Sequence, residues 1–337
     1  MIRPGKLRSP FLSFFALLAV FAVFGSGSRA EAVPTLWGVD EDDGILFSIA
    51  NYATLTGFTN WGELQWDTNG GAPGGLDEIG EHIEGFALDS SGVAYMSLNA
   101  DLGSTDEPVL LSFNIADAAA LASTPVAVIG QISGMGVTFN NGNDNISGLA
   151  IQPGTGDLYA LFRDNDEDTV DKLLKIDKTT GSVLAKFDLD GLSHEVEDGE
   201  DLKFDHLGNL YVTDNEDDTL YKVDPTNGNI LAIIDDDEAG GLGGDDGDDD
   251  LKIEALAWDP TTNTLLAFDD DRGKFLNLTL SDGANSLIGP VSGLTDVEGM
   301  DFVPAAIPEP TTVTLLGVGL LGLARHRRKA ARSRSVE

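Results

Sequence analysis

The 337-residue chain contains no cysteine, so neither a disulfide-stapled scaffold nor a thiolate metal site is open to it. Histidine is scarce, with four in all. Basic residues are few: 20 Lys and Arg stand against 57 Asp and Glu, a formal net charge of -37. A surface of that sign repels nucleic acid and anionic membranes and favours cations. No Gly-x-Ser-x-Gly, phosphate loop or His-Glu-x-x-His occurs, so no catalytic residue is assigned from a motif. No basic groove with interleaved aromatics is present, and no nucleic-acid partner is expected. Between residues 31 and 305 no stretch keeps a long helical period.

What is present is unevenly spread. Residues 31–305 hold 10 basic and 55 acidic residues, a formal -45. The first 30 residues carry only basic charges: Arg3, Lys6 and Arg8 precede the apolar run "FLSFFALLAVFAVFG" (11–25), and "GSGSRAEA" (25–32) offers small residues for cleavage after Ala30 or Ala32. This reads as a signal peptide over 1–30. The apolar run is shorter than the roughly 20 residues of a permanent span, and an uncleaved anchor is the alternative. At the other end, Pro308, Glu309 and Pro310 lead into an apolar stretch from Thr311 to Ala324, then Arg325, Arg327, Arg328 and Lys329. Physically this is a stop-transfer segment whose basic end stays cytoplasmic. The apolar residues run nearly all round a helix, which suits lipid.

The order Pro-Glu-Pro, apolar stretch, basic cluster closely resembles the PEP-CTERM sorting tail, here 306–337. The resemblance implies recognition by an exosortase-type membrane peptidase, contact with the membrane through the C-terminal helix before processing, and export to the envelope, cell surface or outside. It implies a Gram-negative-type bacterium that makes exopolysaccharide.

The middle repeats. "IEGFALDSSGVAYMSL" (83–98), "ISGLAIQPGTGDLYAL" (146–161), "GEDLKFDHLGNLYVTD" (199–214), "IEALAWDPTTNTLLAF" (253–268) and "VEGMDFVP" (297–304) begin alike. In the first four, a turn and a second strand follow, then "LLSFNI", "LLKIDK", "TLYKVD" or "FLNLTL" as a third. Alternation is close to period two, as antiparallel strands require. The repeats start about 63, 53, 54 and 44 residues apart, which suits four-stranded propeller blades. Strand 297–303 has no partners after it, whereas 35–40, 44–50 and 53–58 read as second, third and fourth strands without a first. The expected fold is therefore all-β: one propeller over 31–305 with about five four-stranded blades. Pairing of 297–303 with the N-terminal blade would close it and hide the sheet edges. Six or seven blades stay open if 59–80 or 120–145 contain further strands, and a β-sandwich is the competing fold. "GNLYVTD" followed by "LYKVDPTNG" (208–228) resembles the NHL, YVTN and gluconolactonase-like propellers.

Four turns between second and third strands are acidic: "DEDD" (40–43), "DNDED" (164–168), "DNEDD" (214–218) and "DDDR" (269–272). The first strands open with Glu84, Glu200, Glu254 and Glu298, Ser147 being the exception. In a propeller both sets should gather on one face, with the glutamates round the channel mouth. Oxygen ligands of this kind suit Ca²⁺. The gluconolactonase-like resemblance implies a metal at the mouth, carried over to Glu84, Glu254 and Glu298, with Glu200 at the equivalent position. The competing reading is that Asp and Asn cap hairpins through their own backbone. The Asp/Gly-rich 235–250 reads as a flexible insertion. His82 and His194 precede first strands and are the acid/base candidates; His206 sits in a hairpin turn, exposed and inert. The favoured function is a secreted, exopolysaccharide- or envelope-associated binding propeller without catalysis. The alternative is a Ca²⁺-dependent hydrolase of lactonase-like type.

Overall fold

The computed structural model describes residues 34–42, 44–67, 76–78, 83–99, 108–121, 124–139, 144–164, 169–216, 219–235, 252–281 and 285–303. The signal-peptide segment, His82, the Asp/Gly-rich 236–251 and the sorting tail lie outside them. Five four-stranded antiparallel sheets form the blades of a propeller. Blade I runs from Val297–Phe302 at the centre through Leu36–Asp40 and Ile45–Asn51 to Thr56–Glu63 at the rim. Blades II to V follow in chain order and start at Ile83–Leu88, Asn145–Ile151, Gly199–Phe204 and Ile253–Asp259. The last strand of the chain thus completes the first blade, with Leu36 opposite Phe302 and Val39 opposite Gly299. The segments that left room for more blades contain other things. Gln65–Asp67 and Leu76–Glu78 make a separate two-stranded hairpin, and Ala127–Gln131 is the outer strand of blade II.

The burial pattern explains why the second strands read as nearly continuous apolar runs. Leu36–Asp40 is buried at every position, whereas the rim strand Thr56–Glu63 is mostly exposed. Successive residues of a strand point to opposite faces, and here each face is a different core. Leu36, Phe47 and Ile49 pack against Ala255, Leu266 and Phe268 of blade V. Trp37, Val39 and Leu46 pack against Phe86, Leu88 and Met96 of blade II. Three further clusters fill the remaining seams. The inner strands approach so closely that a Cβ on Gly85 would stand 2.8 Å from the backbone of Gly148, and one on Gly148 would stand 2.6 Å from Asp201 Oδ1. Only glycine fits at these two channel positions.

Candidate functional site: an acidic channel mouth

Every inner strand breaks register with its neighbour at the same place. The shifts fall between Ile83 and Phe86, Ile146 and Gly148, Gly199 and Leu202, Ile253 and Ala255, and opposite Val39 and Asp40. The residues left out of the pairing include Glu84, Ser147, Glu200, Glu254 and Glu298. A β-bulge releases a side chain from the regular pleat and re-aims it. Here five bulges form a ring at the end of the channel where the inner strands begin. Ser147 uses its hydroxyl to bridge blades, donating to Gly199 O at 2.7 Å. The four glutamates instead line a cavity of about 280 Å³.

Two further rings complete that cavity. Two residues before four of the five bulge residues stand Asn145, Asp198, Lys252 and Asp296. At the end of the second strand of blade III stands Arg163, and just past those of blades I and V stand Glu41 and Asp270. Together with the glutamates these make up the lining among the described residues, eight acids and two bases among them. The sequence expectation that acids gather on one face is met for Glu84, Glu200, Glu254 and Glu298. It did not single out Arg163, nor Asn145, Asp198, Lys252 or Asp296, although the repeat positions of these last four were visible. Nor did it single out Glu41 and Asp270 within their acidic turns. His194, half-buried near Tyr221, is not among the lining residues. His206 is exposed and stacks on Trp258, with ring centroids 5.9 Å apart.

The acidic turns divide into two roles. The first acid of "DEDD" and of "DNEDD" holds the neighbouring loop: Asp40 Oδ2 accepts from the Thr295 and Asp296 amides at 2.9 and 3.2 Å, and Asp214 accepts from those of Glu197, Asp198 and Glu216. That is the capping use of Asp. Glu41 and Asp270, each one residue further on, face the cavity.

Charge at the mouth is compensated on one side only. Arg163 Nη1 donates to Glu200 Oε1 at 2.7 Å and its other terminal nitrogen pairs with Asp198. Lys252 pairs with Glu254 and lies 3.6 Å from Asp270. Among the described residues no Lys or Arg pairs with Glu41, Asp296 or Glu298. Burial pushes Glu41 up to about 8, and the charges of Glu84 and Asp296 add to it. Burial and then Asp270 push Asp296 up to about 6. Glu298, 6 % exposed, is raised well above its usual range by burial and then by Glu254, Glu84 and Glu41. Glu84 rises to about 7 through burial, held back by the amides of Asn99 and Asn145. One oxygen from each of Glu41, Asp296 and Glu298 lies within 4.8 Å of the others, a spacing that would admit a metal ion. Below the mouth the channel is filled. Lys203 Nζ donates to Phe86 O and Leu149 O at 3.2 Å, and its charge lowers the carboxyls of Asp201 and Asp301, which burial raises.

Comparison with known proteins bears on the tail first. Residues 306–329 match the PEP-CTERM protein-sorting motif. The chain carries a PEP-CTERM tail, which implies export, exosortase processing in general, and sorting to the cell surface or beyond. Upstream of this tail, residues 135–276 match a family described as SdiA-regulated. That stretch runs from the loop before blade III into the third strand of blade V. No curated protein matches the chain. Similar solved structures include a protein of unknown function from Bacteroides caccae, 12% identical, with a TM-score of 0.41 over 75% of this chain and 71% of that one. A nidogen/laminin complex is 13% identical, with a TM-score of 0.40 over 81% and 98%. A structural genomics protein of unknown function from Bacteroides thetaiotaomicron is 13% identical, with a TM-score of 0.49 over 82% and 64%. At such identities and scores these likenesses carry no functional argument.

Proposed function

We propose that this PEP-CTERM protein is a non-catalytic surface or extracellular propeller whose mouth binds a divalent cation, Ca²⁺, and through it an acidic or hydroxyl-rich ligand such as exopolysaccharide. The observation that carries the reading is Glu298. It is nearly buried, and one of its carboxyl oxygens lies within 4.8 Å of one on another carboxyl, that of Asp296. Such a pair favours sharing a proton or a cation, because two like charges repel by about 4 kcal/mol at 4 Å even at an effective dielectric near 20. Hard oxygen donors without sulfur or imidazole fit Ca²⁺ better than a transition metal. The cavity beside them leaves room for ligand oxygens.

A second reading, a metal-dependent hydrolase, is favoured by one feature. Arg163 borders the same cavity and its buried Nε has no hydrogen-bond partner, so it could receive an anionic group of a substrate beside the ion. Calorimetric titration with CaCl2, against NaCl at matched ionic strength, tests the favoured reading. Binding should be lost in the Glu254→Gln/Glu298→Gln double variant. Binding that survives both substitutions would place the ion elsewhere. Turnover of phosphoesters or lactones that depends on Ca²⁺ and on Arg163 would replace the favoured reading with the second.

A further inference from the structure

A residue at or just past the end of each second strand reaches toward the next blade, and the five seams are not joined alike. Asn99 of blade II accepts from the Ile146 amide of blade III at 3.3 Å. Arg163 of blade III pairs with Glu200 and Asp198 of blade IV. Asn215 of blade IV accepts from the Ile253 amide of blade V at 3.2 Å. At the remaining two seams, acid meets acid. Asp270 of blade V adds its charge to that of Asp296, and Glu41 of blade I faces Glu84 of blade II. These two seams flank blade I, the blade assembled from both ends of the propeller sequence.

The same place carries the joint between those ends. Glu41 N donates to Asp296 O at 2.8 Å, and the Thr295 hydroxyl donates to Asp42 at 3.0 Å. Glu41 comes from the first part of the sequence and Asp296 and Glu298 from the last. Glu298 adds an independent observation to the cluster: it is nearly buried, aimed into the cavity, and bonded to no neutral or cationic donor among the described residues.

We infer that a divalent cation bound by Glu41, Asp296 and Glu298 is the latch of the ring, holding the last strand of the propeller to the N-terminal strand of blade I. The inference rests on the cation reading of the mouth and adds a consequence to it. Where the cation is scarce, the two acid-on-acid seams oppose closure. Where it is abundant, one ion replaces two repulsions with attractions to both chain segments. The strand it fixes ends at Phe302, just ahead of the sorting motif at 306–329.

Hydrogen exchange read by mass spectrometry on the whole protein, in CaCl2 and in chelator at matched ionic strength, tests the latch. A ligand bound only to the closed ring protects amides that exchange through its opening by 1 + [L]/Kd, about a hundredfold at a hundredfold excess. That gain is expected for 36–40 and 297–302, with a gain under about threefold for 199–204 and 210–214 of blade IV. Glu298→Gln and Asp296→Asn should each remove the difference. If calorimetry records Ca²⁺ binding but protection rises equally in both places, the latch is wrong and the cation site stands. If no Ca²⁺ binds, both fall.

Discussion

The two ends of the ring are both rich in aspartate or glutamate, yet they treat negative charge in opposite ways. At the end away from the mouth, each acid answers to a donor in its own turn. Asp177, Asp205, Asp224 and Asp259 accept from the amides of Thr179, Leu207, Thr226 and Thr261 at 2.7 to 2.9 Å. Hydrogen bonds from Thr179 lower the carboxyl of Asp177. Burial raises those of Asp89 and Asp259, but bonds from Ser91 and Val93, and from Thr262 and Tyr52, more than offset it. At the mouth, bulges aim glutamates at one another, and round blade I burial and the charges of neighbouring acids raise Glu41 and Glu298. The difference shows that acidity alone does not mark a site. An acid whose backbone neighbours satisfy it is a turn residue, and an acid held against other acids needs something from outside.

The contrast should break most visibly when its one strong internal compensation is removed. Arg163→Met leaves the buried Glu200 and its neighbour Asp198 without a partner, which is expected to cost about 3–5 kcal/mol in urea unfolding. Lys175→Met at the far end removes a half-exposed pair with Asp157 at 2.8 Å and should cost no more than about 1 kcal/mol. Equal losses would mean the mouth is no more desolvated than the surface.

pH separates the ends next. Mouth carboxyls bind protons more tightly in the folded state than in the unfolded one. In chelator, stability should therefore fall as pH rises from 4.5 through about 8. Far-end aspartates such as Asp177 and Asp259 have lowered values, so their contribution is full above 3.8 and is lost as pH falls below it. The expected profile peaks near pH 5 and loses about 2–4 kcal/mol by pH 8. Saturating Ca²⁺ should flatten its upper limb. A chelated protein at its most stable above pH 7 would contradict the account.

Single substitutions should then differ in sign. Asp259→Ala removes the acceptor for Thr261 and Thr262 and is expected to cost about 1–2 kcal/mol. Glu298→Gln in chelator should raise stability by about 1 kcal/mol, since it replaces a carboxyl that burial and its acidic neighbours oblige to take up a proton on folding. Thermal scans of the two variants beside the parent check both signs.

Much of this was legible from the repeat. The closing strand, the blade count and the gathering of Glu84, Glu200, Glu254 and Glu298 on one face all follow from a recurring position and antiparallel geometry. The bulges were not legible, because a bulge is a fact about pairing between strands, and period-two alternation in one strand hides it. Arg163 was missed for a related reason. It occupies in blade III the place that Glu41 and Asp270 occupy in blades I and V, and only the register of Asn145 against Arg163 reveals the equivalence. Lys252, Asp198 and Asp296 share a visible spacing, two residues before each glutamate, and aligning the repeats on that glutamate would have found them. Which acids cap a loop and which face the cavity depends on the amides nearby, as Asp40 and Glu41 show side by side.

The central claim is that the mouth holds protons at neutral pH which a cation displaces. Calorimetry of Ca²⁺ binding at pH 7 in two buffers of different ionisation enthalpy counts the protons released per ion. With Glu41 near 8 and Glu84 near 7, the account predicts release of about one proton or more for each Ca²⁺ bound. Calcium bound without proton release, or heat no greater than that of sodium chloride at matched ionic strength, would contradict it.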